Sequence, residues 1–372
     1  MANENNWRGA SEVWRGNEQS NYYALTFDDG PYRLKAALWM DALEAGGAVG
    51  TFFHTGEWMD KHPDQAREII ERGHVLAPHT YHHRRMAQVG KEVFVSELQA
   101  TELAYQEATG LPCPTFMRFP YCSYNDDGLR WLAEWGYTDL EGEDSGDWAG
   151  IPAAEIASRI VPVLQNGTIV VHHCNDIATG TPEALGTIIE HARSLGLVPV
   201  TVPDLLENLG IPFQYRRWKL VIEVPASWEH AVADWTEVED GEALRELAKQ
   251  VASWSPRSRI GGPESADEWH DELARHSNGT WSAAEGKPAW LGARSFEGTY
   301  WGFAQAYASG ESLVIREHDA KERQADTLVY LLRWAAEVAT GAGLKYIEAT
   351  RDIRRMDEMC KQLGWPAKLV RE

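Results

Sequence analysis

Tyr23-Ala24-Leu25-Thr26-Phe27-Asp28-Asp29-Gly30-Pro31 is an apolar run that ends on two adjacent carboxylates and a forced turn. Gly30 permits dihedrals closed to other residues, while Pro31 fixes φ and offers no N–H, so a strand must stop here. Two acids at the carboxyl end of a strand, aimed into a cleft, can divide labour: one binds a metal and the other takes a proton. The same letters also describe a solvated Asp-Asp-Gly-Pro turn, so the rest of the chain has to decide.

Working outward, the flanking sequence alternates strands and helices. Leu34–Ala45 carries apolar residues at helical spacing and stops at Gly46-Gly47; Val49–His54 then reads as a buried strand. A helix over Pro63–Arg72 is followed by the short strand Val75–Ala77, which leads straight to His79. Helices are expected over Val93–Thr109, Asp127–Trp135, Ile151–Leu164 and Glu183–Leu195. Between them fall the strands Thr115–Phe119, Tyr137–Leu140, Thr168–Val171 and Leu197–Val200. This rhythm predicts an α/β protein with parallel strands, and its polar candidates fall at strand ends, the catalytic rim of β/α barrels. Leu209-Gly210-Ile211-Pro212 breaks the pattern, which divides the chain into domains of residues 1–212 and 213–372. The second segment reads as the strand Lys219–Val224, a helix Gly241–Ser253 and a loop-rich stretch to about Pro288. Three strand-like runs between Ala289 and Arg316, a helix Asp326–Thr340, a strand Tyr346–Thr350, a helix Ile353–Leu363 and a last short strand complete it.

With 372 residues the chain is long enough for two domains or one large barrel, and 44% hydrophobic content supplies an ordinary core. No stretch approaches the roughly 18 apolar residues of a membrane-spanning helix. A formal charge of -21 argues against nucleic-acid or anionic-membrane partners, which need clustered Lys and Arg. Met1–Gly16 is polar and shows no secretory signal, and Cys113, Cys122, Cys174 and Cys360 lack paired spacing. The expectation is a reduced, cytoplasmic protein. The 17 Trp residues fit sugar-binding faces and core packing equally well.

His79-Thr80-Tyr81-His82-His83 supplies imidazoles four residues apart, which a helical turn would set on one face. Together with the Asp-Asp strand end, His79 and His83 make a candidate His-His-Asp metal site, with His82 as the competing second ligand. The order TFDDGP, HTYHH, RFPY at Arg118–Tyr121, DSGDW at Asp144–Trp148 and IVVHH at Ile169–His173 resembles the polysaccharide deacetylases, the NodB-homology group of carbohydrate esterase family 4. The resemblance covers residues 20–205. It implies a distorted β/α barrel that hydrolyses the N-acetyl group of an amino sugar with a divalent metal, most often zinc, with cobalt or nickel as alternatives.

Carried over by motif, Asp29, His79 and His83 would hold the metal, and Asp28 would be the general base. Arg118 would pair with Asp28 and orient it, and the Tyr121 N–H would help hold the oxyanion. The family's glycine-to-histidine interval, counted from Gly167, selects His173 as the general acid over the adjacent His172; strand neighbours face opposite sides, so only one of the two can point into the site. Asp144 would orient that acid, with Asp147 as the second choice, and Trp148 would wall the acetyl pocket. Cys174 stands where Asp often follows the His, a small departure; Arg84 stands where the family commonly has Pro and Phe119 where Pro is frequent, and neither of these two touches an expected ligand.

The second domain resembles the GNAT acyltransferases through Tyr346–Thr350 and Met359–Trp365. In that family an acyl-CoA pyrophosphate sits on a glycine-rich loop opening a helix. The matching stretch here, His318–Asp326, has no glycine and carries acids, so the domain either binds acetyl-CoA differently or serves binding or assembly. Three functions follow: an N-deacetylase of amino sugars, a bifunctional deacetylase–acyltransferase, or a non-catalytic carbohydrate-binding protein.

Overall fold

Strands buried on both faces read as unbroken apolar runs, because helices cover a parallel sheet above and below. The computed structural model describes residues 12–226, 235–238, 241–254, 265–274, 289–296, 299–320 and 325–372. It divides the chain into two compact units, Met1–Arg216 and Arg217–Glu372. The first opens with β1 (Glu12–Val13), β2 (Tyr22–Asp29), α1 (Ala37–Ala45), β3 (Thr51–His54), α2 (Gly56–Lys61), α3 (Pro63–Glu71) and β4 (Val75–Pro78). It continues with α4 (Lys91–Thr109), β5 (Cys113–Pro114), β6 (Phe116–Met117), α5 (Asp126–Trp135), β7 (Thr138–Leu140) and β8 (Glu143–Asp144). The unit ends with α6 (Ala153–Ile160), β9 (Ile169–Cys174), α7 (Thr181–Ser194), β10 (Val198–Val200), α8 (Val202–Leu209) and β11 (Tyr215–Arg216).

β2 is the central strand. Its Tyr23, Ala24, Leu25, Thr26 and Phe27 are all fully buried. The main sheet runs β4-β3-β2-β9-β8, with β10 pairing the start of β2, and every pairing in it is parallel. A second parallel set, β1-β7-β6, faces it. The two are joined by single bonds rather than ladders, Arg118 N–H to the Pro78 carbonyl at 3.4 Å and Gly16 N–H to the Gly167 carbonyl at 2.7 Å. Ladders interrupted in this way make an irregular barrel, and because its strands are parallel their carboxyl ends share one rim. Residues 213–216 stay with this unit because Tyr215–Arg216 pair antiparallel with Cys113–Pro114.

Local departures from the sequence reading have local causes. Thr115–Phe119 is a strand only over Phe116–Met117, since Pro120 opens a short 3-10 turn. The helix expected over Ile151–Leu164 ends at Ile160, where Pro162 converts it to another 3-10 turn. β9 runs three residues further than expected, through His172, His173 and Cys174. α2 goes unseen in the sequence because it is six residues long, capped by Thr55 Oγ1 accepting from Trp58 N–H.

The second unit contains β12 (Trp218–Glu223), β13 (Trp235–Glu237), α9 (Gly241–Trp254), α10 (Ala266–Ala274), β14 (Ala289–Phe296), β15 (Thr299–Ser309) and β16 (Ser312–Ala320). α11 (Ala325–Gly341), β17 (Tyr346–Ala349), α12 (Ile353–Leu363) and β18 (Ala367–Arg371) complete it. Its seven-stranded sheet has the order β13-β14-β15-β16-β17-β12-β18 and is antiparallel except where β16 meets β17. α10 lies in the stretch read as loop; Trp269 and Leu273, four residues apart, give it a buried face. Lys321–Gln324, inside the loop compared with acyl-CoA sites, lie outside the described residues. Among the described residues no helix is long and apolar enough to cross a membrane.

Candidate active site and metal centre

The turn after β2 is fixed by contact as well as by dihedral. Gly30 has φ +113°, and a Cβ there would stand 2.5 Å from the Trp58 ring. The preceding residue, Asp29, is itself left-handed at φ +84°. This holds its carboxylate against two imidazoles: Asp29 Oδ1 is 3.0 Å from His83 Nε2 and 3.5 Å from His79 Nε2. The other oxygen, Oδ2, accepts from Asn175 Nδ2 at 2.7 Å.

Asp29, His79 and His83 are the residues among those described whose donor atoms cluster closely enough to hold a metal, all within 4.8 Å. Two observations test the fit. His79 Nδ1 is 2.8 Å from the Arg118 carbonyl, which can only accept, so the proton sits on Nδ1 and the Nε2 lone pair faces Asp29. Asp29 Oδ1 is buried and accepts no hydrogen bond although two ring nitrogens adjoin it. A carboxylate and a bare imidazole nitrogen turned toward each other call for a cation between them, and one carboxylate with two imidazoles suits a divalent ion. Burial pushes the Asp29 carboxyl up, but the neighbouring imidazoles outweigh it and hold it well below the usual range.

The His79–His83 spacing works by a route other than the helical turn. Residues 79–85 form an irregular loop in which Thr80 and His83 are left-handed, at φ +60° and +57°. Glu97, buried on α4, pins this loop. Its Oε2 accepts from Tyr81 N–H at 3.0 Å and His82 N–H at 2.8 Å, while Oε1 lies 2.7 Å from His82 Nδ1 and 2.9 Å from Arg84 Nε. His82 is thereby turned onto Glu97 and away from the cluster. Glu97 escaped the sequence reading, because a polar residue on a helix face 13 or more positions away carries no local signal.

Asp28 stands beside the cluster in a buried ion pair, Oδ1 to Arg118 Nη1 at 2.8 Å. Arg118 is locked by Thr26 Oγ1 at 2.8 Å, by the Leu140 carbonyl at 2.5 Å and by the Phe53 ring at 4.6 Å. Register places Asp28 opposite His173 and Phe27 opposite His172 across β2 and β9. His172 stacks on Phe27 in the core with neither ring nitrogen hydrogen-bonded, Asp147 Oδ2 standing 3.8 Å from Nδ1, and burial pushes it down to about 4 against that carboxylate. His173 faces the rim. Burial alone would lower it, but the Asp147 carboxylate, 2.7 Å from Nδ1, pushes it up to about 9.

The partner of His173 corrects the sequence reading, which gave that role to Asp144. Asp144 is exposed and caps its own turn, accepting from Gly146 N–H at 2.8 Å and from Trp148 Nε1 at 3.1 Å. The chain reverses at Ser145-Gly146 and brings Asp147, not Asp144, beneath β9. There Asp147 Oδ2 accepts from His173 N–H at 2.8 Å and from Thr181 Oγ1 at 2.6 Å. Asp144 therefore positions Trp148, whose ring is 55% exposed at the rim. Tyr121 is left-handed at φ +60°, and its exposed ring lies 4.5 Å from that of His83.

Residues 15–140 match the polysaccharide deacetylase family model. The N-terminal unit belongs to that family. The deacetylase domain is 29% identical over 188 residues to a peptidoglycan-N-acetylglucosamine deacetylase of Bacillus cereus, covering 50% of this chain and 68% of that one. It is 30% identical over 194 residues to a chitin deacetylase of Arthroderma benhamiae, covering 49% and 51%. The chain thus spans between about half and two thirds of the length of these relatives. A crystal structure of a peptidoglycan N-acetylglucosamine deacetylase superposes with TM-score 0.50 at 28% identity, covering 53% of this chain and 92% of that one.

Proposed function

We propose that the deacetylase domain hydrolyses the N-acetyl group of an amino sugar, releasing acetate and a free amine. The observation that carries this reading is the convergence of three arrangements on one rim: the Asp29–His79–His83 cluster, the Asp28–Arg118 pair and the His173–Asp147 pair. A divalent cation held by Asp29, His79 and His83 would polarise the amide carbonyl and acidify a water. Asp28, held in place by Arg118, accepts the proton that the attacking water gives up. His173, kept protonated by Asp147, delivers a proton to the departing nitrogen. The backbone N–H of Tyr121 is a donor for the developing oxyanion, and Trp148, fixed by Asp144, shields the acetyl group from solvent.

The test is acetate release from chito-oligosaccharides by the zinc-loaded full chain. Asp28→Asn is expected to lower kcat by roughly 10³-fold, within the range for loss of a general base, with zinc still bound. Undiminished turnover in that variant would overturn the mechanism.

A second reading concerns the C-terminal unit, for which we propose a GNAT-like fold. Its support is the parallel pairing of β16 with β17 inside an otherwise antiparallel sheet. Pairing stops at Ile315–Ala349 while β16 runs on to Ala320, ahead of the start of α11. Heat evolved on titrating the chain with acetyl-CoA would favour an acyl-CoA site there.

A further inference from the structure

Arg85 lies at the rim of the deacetylase site with its guanidinium carbon 4.0 Å from the centre of the Tyr121 ring. That ring in turn adjoins His83. The backbone that presents Arg85 is well anchored: Met86 is fully buried, Ala87 N–H donates to the Ser123 carbonyl at 2.9 Å, and Asn125 Nδ2 donates to the Ala87 carbonyl at 3.2 Å. The neighbouring cations are committed elsewhere. Arg84 sits on Glu97 and Arg118 on Asp28, at 2.9 and 2.8 Å. Arg85 is exposed and, among the described residues, has no carboxylate partner. In a chain of net charge -21 such a cation would ordinarily find an acid. Here stacking on an aromatic face holds it in place while leaving its planar N–H edge toward solvent.

The geometry points to Arg85 as an anion-recognising subsite: the domain takes N-acetylated glycans in which the sugar next to the acetamido residue carries a carboxylate, as a uronic acid does. The inference rests on the deacetylase reading and names its substrate class. A guanidinium forms paired hydrogen bonds to a carboxylate, which a neutral hydroxymethyl cannot accept in the same way.

The experiment compares a hexasaccharide of alternating N-acetylglucosamine and glucuronate with its carboxyl-reduced counterpart, matched in length and linkage. In the zinc-loaded full chain the uronate form is expected to have about ten-fold higher kcat/KM, a preference that weakens with salt. Arg85→Gln should bring the ratio of the two substrates near one, and Arg85→Lys should retain part of it. A uniform loss on both hexasaccharides would assign Arg85 a structural role beneath Tyr121 and overturn the inference, as would an unchanged ratio. Calorimetric titration of the same pair keeps the two claims separate. If no acetate is released from any N-acetylated glycan the deacetylase reading fails, yet tighter binding of the uronate form that disappears in Arg85→Gln still supports the subsite. Equal affinities overturn it.

Discussion

The site holds its histidines in two different ways. His172 and His173 sit on β9, where register against β2 sends one imidazole into the core and the other to the rim. His79 and His83 sit on an irregular loop with left-handed residues, kept in shape by a carboxylate from α4. A strand sets side-chain direction by alternation, so little else is needed to aim His173. A loop has no such rule, and its geometry must come from groups distant in sequence. The strand side should therefore be sensitive in its charge, and the loop side in its shape.

The largest expected effect on the strand side comes from separating the two acids of DSGDW. Asp147→Asn removes the charge that raises His173, so the protonated form should be lost at lower pH. We expect kcat to fall by roughly 100-fold and the alkaline limb of the rate profile to move down from near 9. Asp144→Asn keeps a side chain able to cap the turn and leaves that limb in place. If instead Asp144→Asn shifts the limb and Asp147→Asn does not, the assignment of partners is reversed.

On the loop side the informative change is Glu97→Gln. Glu97 receives four donors on two oxygens. An amide replaces one oxygen with an NH2 group, which faces the Tyr81 and His82 N–H groups if it takes the Oε2 position and the Arg84 Nε–H if it takes the Oε1 position. The loop should relax, and zinc affinity measured by competition with a chelator should weaken by about 10-fold, the lower end for residues that support metal ligands. Undisturbed affinity would mean the loop keeps its shape without the carboxylate.

The same contrast decides what could be read in advance. The Asp28-Asp29 strand end, His173 over His172 and the pairing of Arg118 with Asp28 were legible, because alternation and motif order carry them. Asp147, Glu97 and Asn175 were not. Choosing between Asp144 and Asp147 needs the sense of the Ser145-Gly146 reversal, which the letters DSGDW leave open. Glu97 reads as one polar residue in an amphipathic helix, and Asn175 as a loop residue beyond a strand. α10 was hidden for a further reason: its buried Trp269 and Leu273 sit in a short helix whose sequence is dominated by charge.

The smallest effect sharpens the comparison within β9 itself, since its adjacent imidazoles should give stability opposite slopes with pH. His173 has its folded-state value raised to about 9, so its contribution is complete below the unfolded value near 6.5 and is lost as pH rises through 9. His172 is pushed down to about 4. Between about 6.5 and 4 the unfolded chain takes up a proton that the folded chain refuses, so stability falls on acidification and levels off below 4. The full cost is on the order of 3 kcal/mol, and less at pH 5. His172→Phe, close in shape and already stacked against Phe27, removes that proton. Its urea midpoint should drop less between pH 7 and pH 5 than the wild-type midpoint does. Some acid sensitivity will remain, because burial also pushes the neighbouring His54 down to about 3. An identical drop in both proteins would show that His172 is protonated in the folded state, and that Phe27 and the core around it leave the ring more solvated than the stack implies.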